Sequence, residues 1–369
     1  MRIIFICGCL EPRKDGVGDY TRRLASELIR QGISVGIVSY NDTFIQKELE
    51  EYQVSENTSI PCLRIPSIWS NTKRKSYAKL WVDTHKPEWL SLQYVPYAFN
   101  KKGLPLGLGQ QLKNIGGNTK WHIMFHELWL GLRINDSLKY QFIGYIQRLL
   151  VKSMINKINV QLVHTHTQFY LQELTSLNLN PKYLPIFSNI PFKKMERDNN
   201  ISKSERISLI MFGSIHPNAP IKQFAEEVSL YFKSQTSEHC RLVLVGKSGD
   251  EQQKWIKEFE SLGIEVIVLG ELSAEDISVA LQEATVGITT NPFFVVEKSG
   301  TVAAMREHGL PVLIVSEDTR PKNNLKPILP NGFWEYRTGN FSKFINQRSN
   351  NSEYISLSEI TNKFIQILN

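Results

Sequence analysis

Short apolar runs alternate with longer stretches of helical period along most of the chain. In the first half the runs fall at 3–7, 35–39, 89–93, 123–125 and 161–164, and in the second at 208–212, 241–245, 266–269, 286–290 and 311–315. They lack polar alternation, which marks strands covered on both faces. The strand–helix rhythm predicts right-handed βαβ crossovers and parallel sheets. Helical patterns such as 221–232 and 251–262 separate the runs. The predicted class is therefore α/β, with two Rossmann-like doubly wound domains. Residues 191–206 (PFKKMERDNNISKSER) are polar and poor in apolar side chains, so they read as a linker between domains at 1–190 and 207–350. Within 351–369, Leu357, Ile360, Phe364 and Ile367 recur at helical spacing and predict a terminal amphipathic helix. Open α/β sheets bind ligands at the carboxyl ends of their strands, so two such domains place the site in a cleft lined by those loops.

Composition narrows the class. With 369 residues, 41% hydrophobic, 10% aromatic and 21% charged, the chain is a folded protein of about two domains and not a disordered or fibrous one. The formal charge of +7 is unevenly held. Residues 1–190 carry 23 basic and 14 acidic side chains, against 20 and 22 in the remainder, so the first domain is basic and the second slightly acidic. The four cysteines, Cys7, Cys9, Cys62 and Cys240, form neither a disulfide framework nor a paired zinc motif, and a reducing compartment is the simplest reading. The start of the chain is too short and too charged for a signal peptide, and no run reaches the ~20 apolar residues of a membrane span. The expectation is a cytoplasmic protein, peripheral to the inner face of the membrane if it meets one.

Candidate chemistry sits in the loops after strands. The stretch GCLEPRKDGVGD at 8–19 follows the first strand; Gly16 and Gly18 let backbone approach a ligand, and the helix start at 19–21 would face a phosphate with its positive end. The same stretch also reads as a plain glycine turn with Asp19 as the helix cap. It is no dinucleotide fingerprint, because Thr21 stands at the third glycine position; Asn41-Asp42 offers only a weak form of the acid a nicotinamide site needs. Gln93 and Tyr94 end one strand, and His126 and Trp129 follow the next. Aromatic faces beside amides and imidazoles suit a sugar. His164 and His166 read as supporting residues at a strand end.

In the second domain, NPFFVVEKSGTVAAMREHGLP at 291–311 places Ser299, Gly300 and Thr301 at a helix start beside Lys298, a cradle for a diphosphate, or simply a capped helix with a solvent-facing lysine. Glu297 is costly to enclose unless it accepts from ligand hydroxyls; otherwise it is a surface partner for Lys298. Gly213 and Ser214, and Gly246 and Lys247, occupy equivalent loops. There is no P-loop, HExxH, GxSxG or Cys/His metal spacing, which leaves covalent and metal chemistry without a motif. The basic clusters at Lys73-Arg74-Lys75, Lys101-Lys102 and along 139–157 read as solvated faces or as a surface for an anionic membrane or acceptor. No nucleic-acid module accompanies them.

Taken together, Asp15-Gly16-Val17-Gly18-Asp19-Tyr20 before TRRLASELIRQG, Phe125-His126-Glu127, Phe212-Gly213-Ser214 and EKSGTVAAMREHGLPVLI resemble the GT-B glycosyltransferases of retaining family 4. The resemblance covers nearly the whole chain. It implies two Rossmann-like domains, with the acceptor in the first, a nucleotide-diphosphate sugar in the second, and a C-terminal helix crossing back to the first. It further implies that Gly16 presents amides to the diphosphate and that His126 sits beside the transferred sugar. Glu297 then bonds the sugar's hydroxyls, Ser299, Gly300 and Thr301 contact the sugar or phosphates, and Gly270, Glu271 and Leu272 border the base. Such enzymes need no cofactor or metal and retain anomeric configuration. The family's second glutamate falls here on Met305 by count or on Ala304 by alignment, leaving Glu307 as the only nearby carboxylate for a ribose. Ser214 stands where arginine is usual, with Lys222 later than the usual lysine, and Asp15 replaces a glycine. The expected function is sugar transfer to a saccharide or lipid-linked acceptor; a catalytically silent GT-B protein binding a glycan or partner enzyme is the alternative.

Overall fold

The structure is a computed structural model describing residues 1–194, 206–235, 239–322, 332–348 and 355–368. The chain runs through β1 (Arg2–Cys7), α1 (Gly16–Arg30), β2 (Ser34–Asp42), β3 (Leu49–Ser55), β4 (Thr58–Pro66), α2 (Asn71–His85), β5 (Trp89–Tyr94), α3 (Pro96–Phe99), α4 (Leu108–Gly116), β6 (Lys120–Phe125), α5 (Leu138–Ile158), β7 (Leu162–Thr165), α6 (Gln168–Thr175) and β8 (Lys182–Tyr183). It continues as β9 (Arg206–Phe212), α7 (Ile221–Lys233), β10 (His239–Val245), α8 (Gln252–Ser261), β11 (Glu265–Gly270), α9 (Ala274–Glu283), β12 (Val286–Thr289), a 3-10 helix (Phe293–Lys298), α10 (Gly300–Glu307), β13 (Val312–Ile314), β14 (Phe333–Glu335), α11 (Phe341–Gln347) and α12 (Leu357–Leu368). Two compact units result: Met1–Pro185 with Pro321, Lys322 and α12, and the described residues of Ile186–Arg320 and Lys326–Ser356. Most of the linker expected at 191–206 lies outside the described residues.

The first unit is built on a sheet of order β3-β4-β2-β1-β5-β6-β7-β8, parallel except where β3 and β4 form an antiparallel hairpin. β1 is apolar without alternation because both of its faces are covered, and β5 is buried throughout although it carries Ser91 and Gln93; Ile3, Phe5, Leu90 and Leu92 are fully buried. The helix α12 completes the unit. It packs on α1, and its Phe364 ring lies 6.2 Å from Phe5 and 5.1 Å from His122. The second unit has a wholly parallel sheet, β11-β10-β9-β12-β13-β14, with cores on its two faces around Phe224–Trp255–Phe341 and around Val302–Met305–Ile314.

Local differences from the sequence reading have physical causes. Helix α1 begins at Gly16 and not near Tyr20, because Asp15 caps it: its Oδ1 accepts from the amides of Val17 (2.8 Å) and Gly18 (3.3 Å). Asp19, expected to cap, instead pairs with Arg22. The hairpin of β3 and β4 is additional to the predicted strands; LEEYQVS sits at a sheet edge with its side chains largely exposed, so it carries no apolar signal. Among the described residues no helix is long and apolar enough to cross a membrane.

Candidate functional site

In the second unit, three adjacent strands end in left-handed glycines: Gly213 after β9 (φ 87°), Gly246 after β10 (φ 87°) and Gly270 at the end of β11 (φ 66°). Backbone bonds knit them together. The Gly213 amide donates to Val245 O at 2.9 Å and the Gly246 amide to Gly270 O at 2.6 Å. The spacing is tight at Gly213, where a Cβ would stand 2.8 Å from Thr301 Cγ2, while one on Gly246 would make an ordinary contact with Gly213 Cα at 3.5 Å. The result is a backbone floor at the carboxyl edge of the sheet, with the first turn of α10 against it. Ser299 caps α10 through Val302 N–H (3.4 Å), and its Oγ is 3.0 Å from Thr301 Oγ1 and accepts from Asn291 Nδ2 at 3.2 Å. Such a helix start, with side-chain hydroxyls and few bulky groups, suits phosphate oxygens.

The other residues singled out in this unit are distributed as follows. Glu297 and Lys298 are half-buried at the end of the 3-10 helix that leads into Ser299. Glu271 is exposed and pairs with Lys247 at 3.0 Å, beside Gly270, while Leu272 packs against the core. Ser214 is exposed beside Gly213. Lys222 lies in the first turn of α7, where it lines a cavity of about 420 Å³ with Lys254 and Lys257 of α8. Ala304 and Met305 are fully buried; Met305 lies so close over β12 that a Cβ on Gly287 would meet its sulfur at 2.7 Å. Neither can present a group to a ribose, and Glu307 closes α10 as its last residue. Sequence reasoning missed Asn189, whose Nδ2 lies nearest Gly300 and whose Oδ1 is buried without a hydrogen-bond partner.

In the first unit, the amide of Gly18 is engaged by Asp15, and Gly18 is a glycine because a Cβ there would stand 2.6 Å from Cys9 O. Gly16 has open space around it and lines a cavity. The three residues expected from sequence to meet the acceptor are buried. Tyr94 is 1% exposed and packed against Phe99 and Phe125, Gln93 is 1% exposed, and Trp129 is buried with Arg148 over its ring. Gln93 and Tyr94 end β5, all of whose positions are buried, and Trp129 lies in the loop after β6.

Gln93 belongs to a buried chain of hydrogen bonds that crosses β5, β6 and β7. From one end it runs His164 Nδ1 to His122 Nε2 (3.0 Å), His122 Nδ1 to Ser91 Oγ (2.8 Å), Ser91 Oγ to Gln93 Nε2 (2.8 Å), Gln93 Oε1 to His126 Nε2 (2.9 Å), His126 Nδ1 to His166 Nε2 (3.1 Å) and His166 Nδ1 to Leu184 O (2.8 Å). A carbonyl only accepts, so His166 Nδ1 carries a proton. If His126 and His166 are both neutral, His126 Nδ1 must donate to His166, and His126 Nε2 must accept. The Gln93 amide then has to turn its NH₂ to His126 and its oxygen to Ser91. With its oxygen towards His126, the imidazole pair holds one extra proton. The amide orientation of Gln93 and the charge beside His126 are thus one variable. Farther along, burial pushes the His122 imidazole well below its ordinary value, with His164 adding to it, and burial with His166 and Lys182 lowers His164 to about 3.

Asp42 ends β2, where a nicotinamide site would want a ribose ligand, but it is fully buried and already committed. Burial would raise its carboxyl; the Arg64 guanidinium (2.8 Å) and the amides of Phe44 (3.0 Å) and Leu10 (3.3 Å) hold it below the usual carboxylate range. Among the described residues no group of three or more His, Cys, Asp or Glu side chains is placed to hold a metal ion.

No family model and no curated protein matches the sequence. Solved structures do match over the full length. HepE of Anabaena, crystallised with UDP and glucose, superposes with a TM-score of 0.60 at 14% identity over 100% of this chain and 99% of its own. The chain has the GT-B fold. The lipopolysaccharide outer core galactosyltransferase WaaB is similar at a TM-score of 0.52, with 15% identity over 99% of this chain and 95% of its own. UDP-GlcNAc 2-epimerase from Methanocaldococcus jannaschii shares GT-B at a TM-score of 0.56, with 10% identity over 100% and 99%. GT-B is thus common to transferases and an epimerase, and activity has to be argued from the residues.

Proposed function

We propose that this chain is a glycosyltransferase that takes a sugar from a nucleotide diphosphate and passes it to a saccharide or lipid-linked acceptor, with retention and without a metal. The observation that carries the reading is the floor of Gly213, Gly246 and Gly270 facing the start of α10. It supports a donor site in the second unit. Backbone amides and the Ser299 and Thr301 hydroxyls take the diphosphate, Lys298 balances its charge, Glu297 accepts from the sugar hydroxyls, and Gly270 and Glu271 border the base. Departure of the diphosphate is helped by the helix dipole and not by a covalent intermediate. In the first unit Gly16 serves the diphosphate, and His126, only 7% exposed and with both ring nitrogens engaged by Gln93 and His166, supports the wall beside the sugar without bonding it. HepE, whose structure holds UDP and glucose, supports the donor class. Titration with UDP-, GDP- and ADP-sugars tests the reading: at least one binds. Release of nucleoside diphosphate separates a transferase from a silent binder, and an altered sugar still attached to its nucleotide would assign an epimerase.

The reading includes contact with an anionic membrane, supported by α5. Leu138, Phe142, Tyr145 and Leu149 form one stripe on this helix and are 82%, 65%, 61% and 49% exposed, and Lys139, Arg148 and Lys152 lie on the same helix. An apolar stripe flanked by cations suits a headgroup boundary. Association with anionic vesicles is expected to weaken as salt rises from about 50 to 500 mM and to be lost in Phe142→Asp. Salt-insensitive or absent association in a flotation assay would remove the membrane from the account.

A further inference from the structure

We propose that the cavity at the carboxyl ends of β1, β2 and β5 is a subsite for an oxyanion, a phosphate or carboxylate carried by the acceptor sugar, and that Arg74 is its principal ligand. The cavity has a volume of about 630 Å³ and is lined by residues of the first unit, among them Lys14, Gly16, Asn41, Arg74, Tyr97 and Lys101. The inference deepens the transferase reading and rests on it for the word acceptor; the anion site itself does not.

Arg74 looks like one more solvated cation in Lys73-Arg74-Lys75, yet it is only 9% exposed. Its guanidinium bonds only neutral oxygens: Nη1 donates to Tyr40 O at 3.3 Å and to Asn41 Oδ1, and Nη2 donates to Asn71 Oδ1. Its Nε is buried with no partner. Among the described residues no carboxylate pairs with it, whereas the other deeply buried arginine of this sheet edge, Arg64, has Asp42, Glu11 and Glu51. A buried guanidinium without a counter-ion is costly, and burial accordingly pushes its pKa down. An anion entering the cavity would supply the missing charge and meet planar donors suited to a phosphate or carboxylate.

The surroundings agree in sign. Lys14 and Lys101 are exposed at the rim. The one carboxylate on the wall, Asp15, is turned to the Val17 and Gly18 amides as the helix cap. Tyr97 and Phe44 provide apolar surface for the sugar ring beside the charge.

The test compares glucose, glucose 6-phosphate and glucuronic acid binding to the full chain with UDP added to fill any donor site. The expected result is that glucose 6-phosphate or glucuronic acid binds about tenfold or more tighter than glucose, and which of the two does so tells phosphate from carboxylate. Arg74→Gln should abolish the preference while glucose binding persists, and Arg74→Lys should restore part of it. A purely structural Arg74, tying α2 to β2, would lower the melting temperature in both variants without touching the preference. Should Arg74→Gln fail to fold, the exposed double variant Lys14→Gln/Lys101→Gln is expected to cut the preference several-fold. Equal binding of the three sugars to the wild type, or full preference in folded Arg74→Gln, overturns the inference. Sugar-nucleotide binding without any anionic preference would leave the transferase reading standing and remove only this subsite.

Discussion

Replacing Glu297 by Gln is expected to lower sugar-nucleotide turnover about a hundredfold while leaving the affinity for the nucleoside diphosphate unchanged. In the proposed reading Glu297, half-buried two residues ahead of the Ser299 cap, accepts from sugar hydroxyls as positive charge builds on the ring. That interaction strengthens towards the transition state, and the amide keeps the shape while losing the charge. The nucleoside diphosphate lacks the sugar, so its binding has no reason to change. Steady-state turnover together with a diphosphate titration checks both halves. Unchanged turnover would take Glu297 out of the site, and a parallel loss of diphosphate affinity would make it a structural residue.

The second large effect is on stability. His122 and His164 are buried as neutral imidazoles whose folded pKa values lie below that of the unfolded chain, about 6.5, with His164 at about 3. For a base depressed in this way, the stability is fully present above pH 6.5 and drains away as pH falls below it, because the unfolded chain takes up protons the folded chain refuses. A site that stays neutral costs about 1.4 kcal/mol per pH unit, so His164, at about 3, costs about 2 kcal/mol between pH 6.5 and 4.5, and His122 adds a cost of the same sign. That is a large share of an ordinary domain's stability. Urea unfolding followed from pH 7.5 down to 4.5 measures the slope. The double variant His122→Leu/His164→Leu should be much flatter over the same range; a pH-independent wild type, or an unchanged slope in the variant, would contradict the neutral buried pair.

What the sequence made legible follows from which forces leave a local signature. The strands buried on both faces announced themselves as apolar runs, and α12 announced its one apolar face; both are patterns of neighbouring residues. The β3–β4 hairpin did not, because an edge strand such as LEEYQVS needs no apolar side chains. The helix start at Gly16 was hidden by two glycines that argue against helix, while the side chain of Asp15 supplies the caps that permit it. The site was legible where it is contiguous. Ser299, Gly300 and Thr301 lie together in sequence, but the glycine floor depends on the order β11-β10-β9, and the histidine chain depends on the register that sets Ser91 opposite His122 and Met124 opposite His164. The burial of Gln93, Tyr94 and Trp129 was not legible, because a polar or aromatic group in or near a strand can point inward. Arg74 was hidden for the opposite reason: a charge in a basic run reads as solvated, and only the fold shows that it is buried beside a cavity.

The second unit is expected to hold a nucleotide-diphosphate sugar. Calorimetric titration of the full chain with UDP-, GDP- and ADP-glucose tests it most directly. At least one of them is expected to bind saturably at millimolar concentration or below and to be displaced by the corresponding nucleoside diphosphate. Heat-silent titrations with all three at millimolar concentration, confirmed by the absence of any shift in melting temperature, would contradict it.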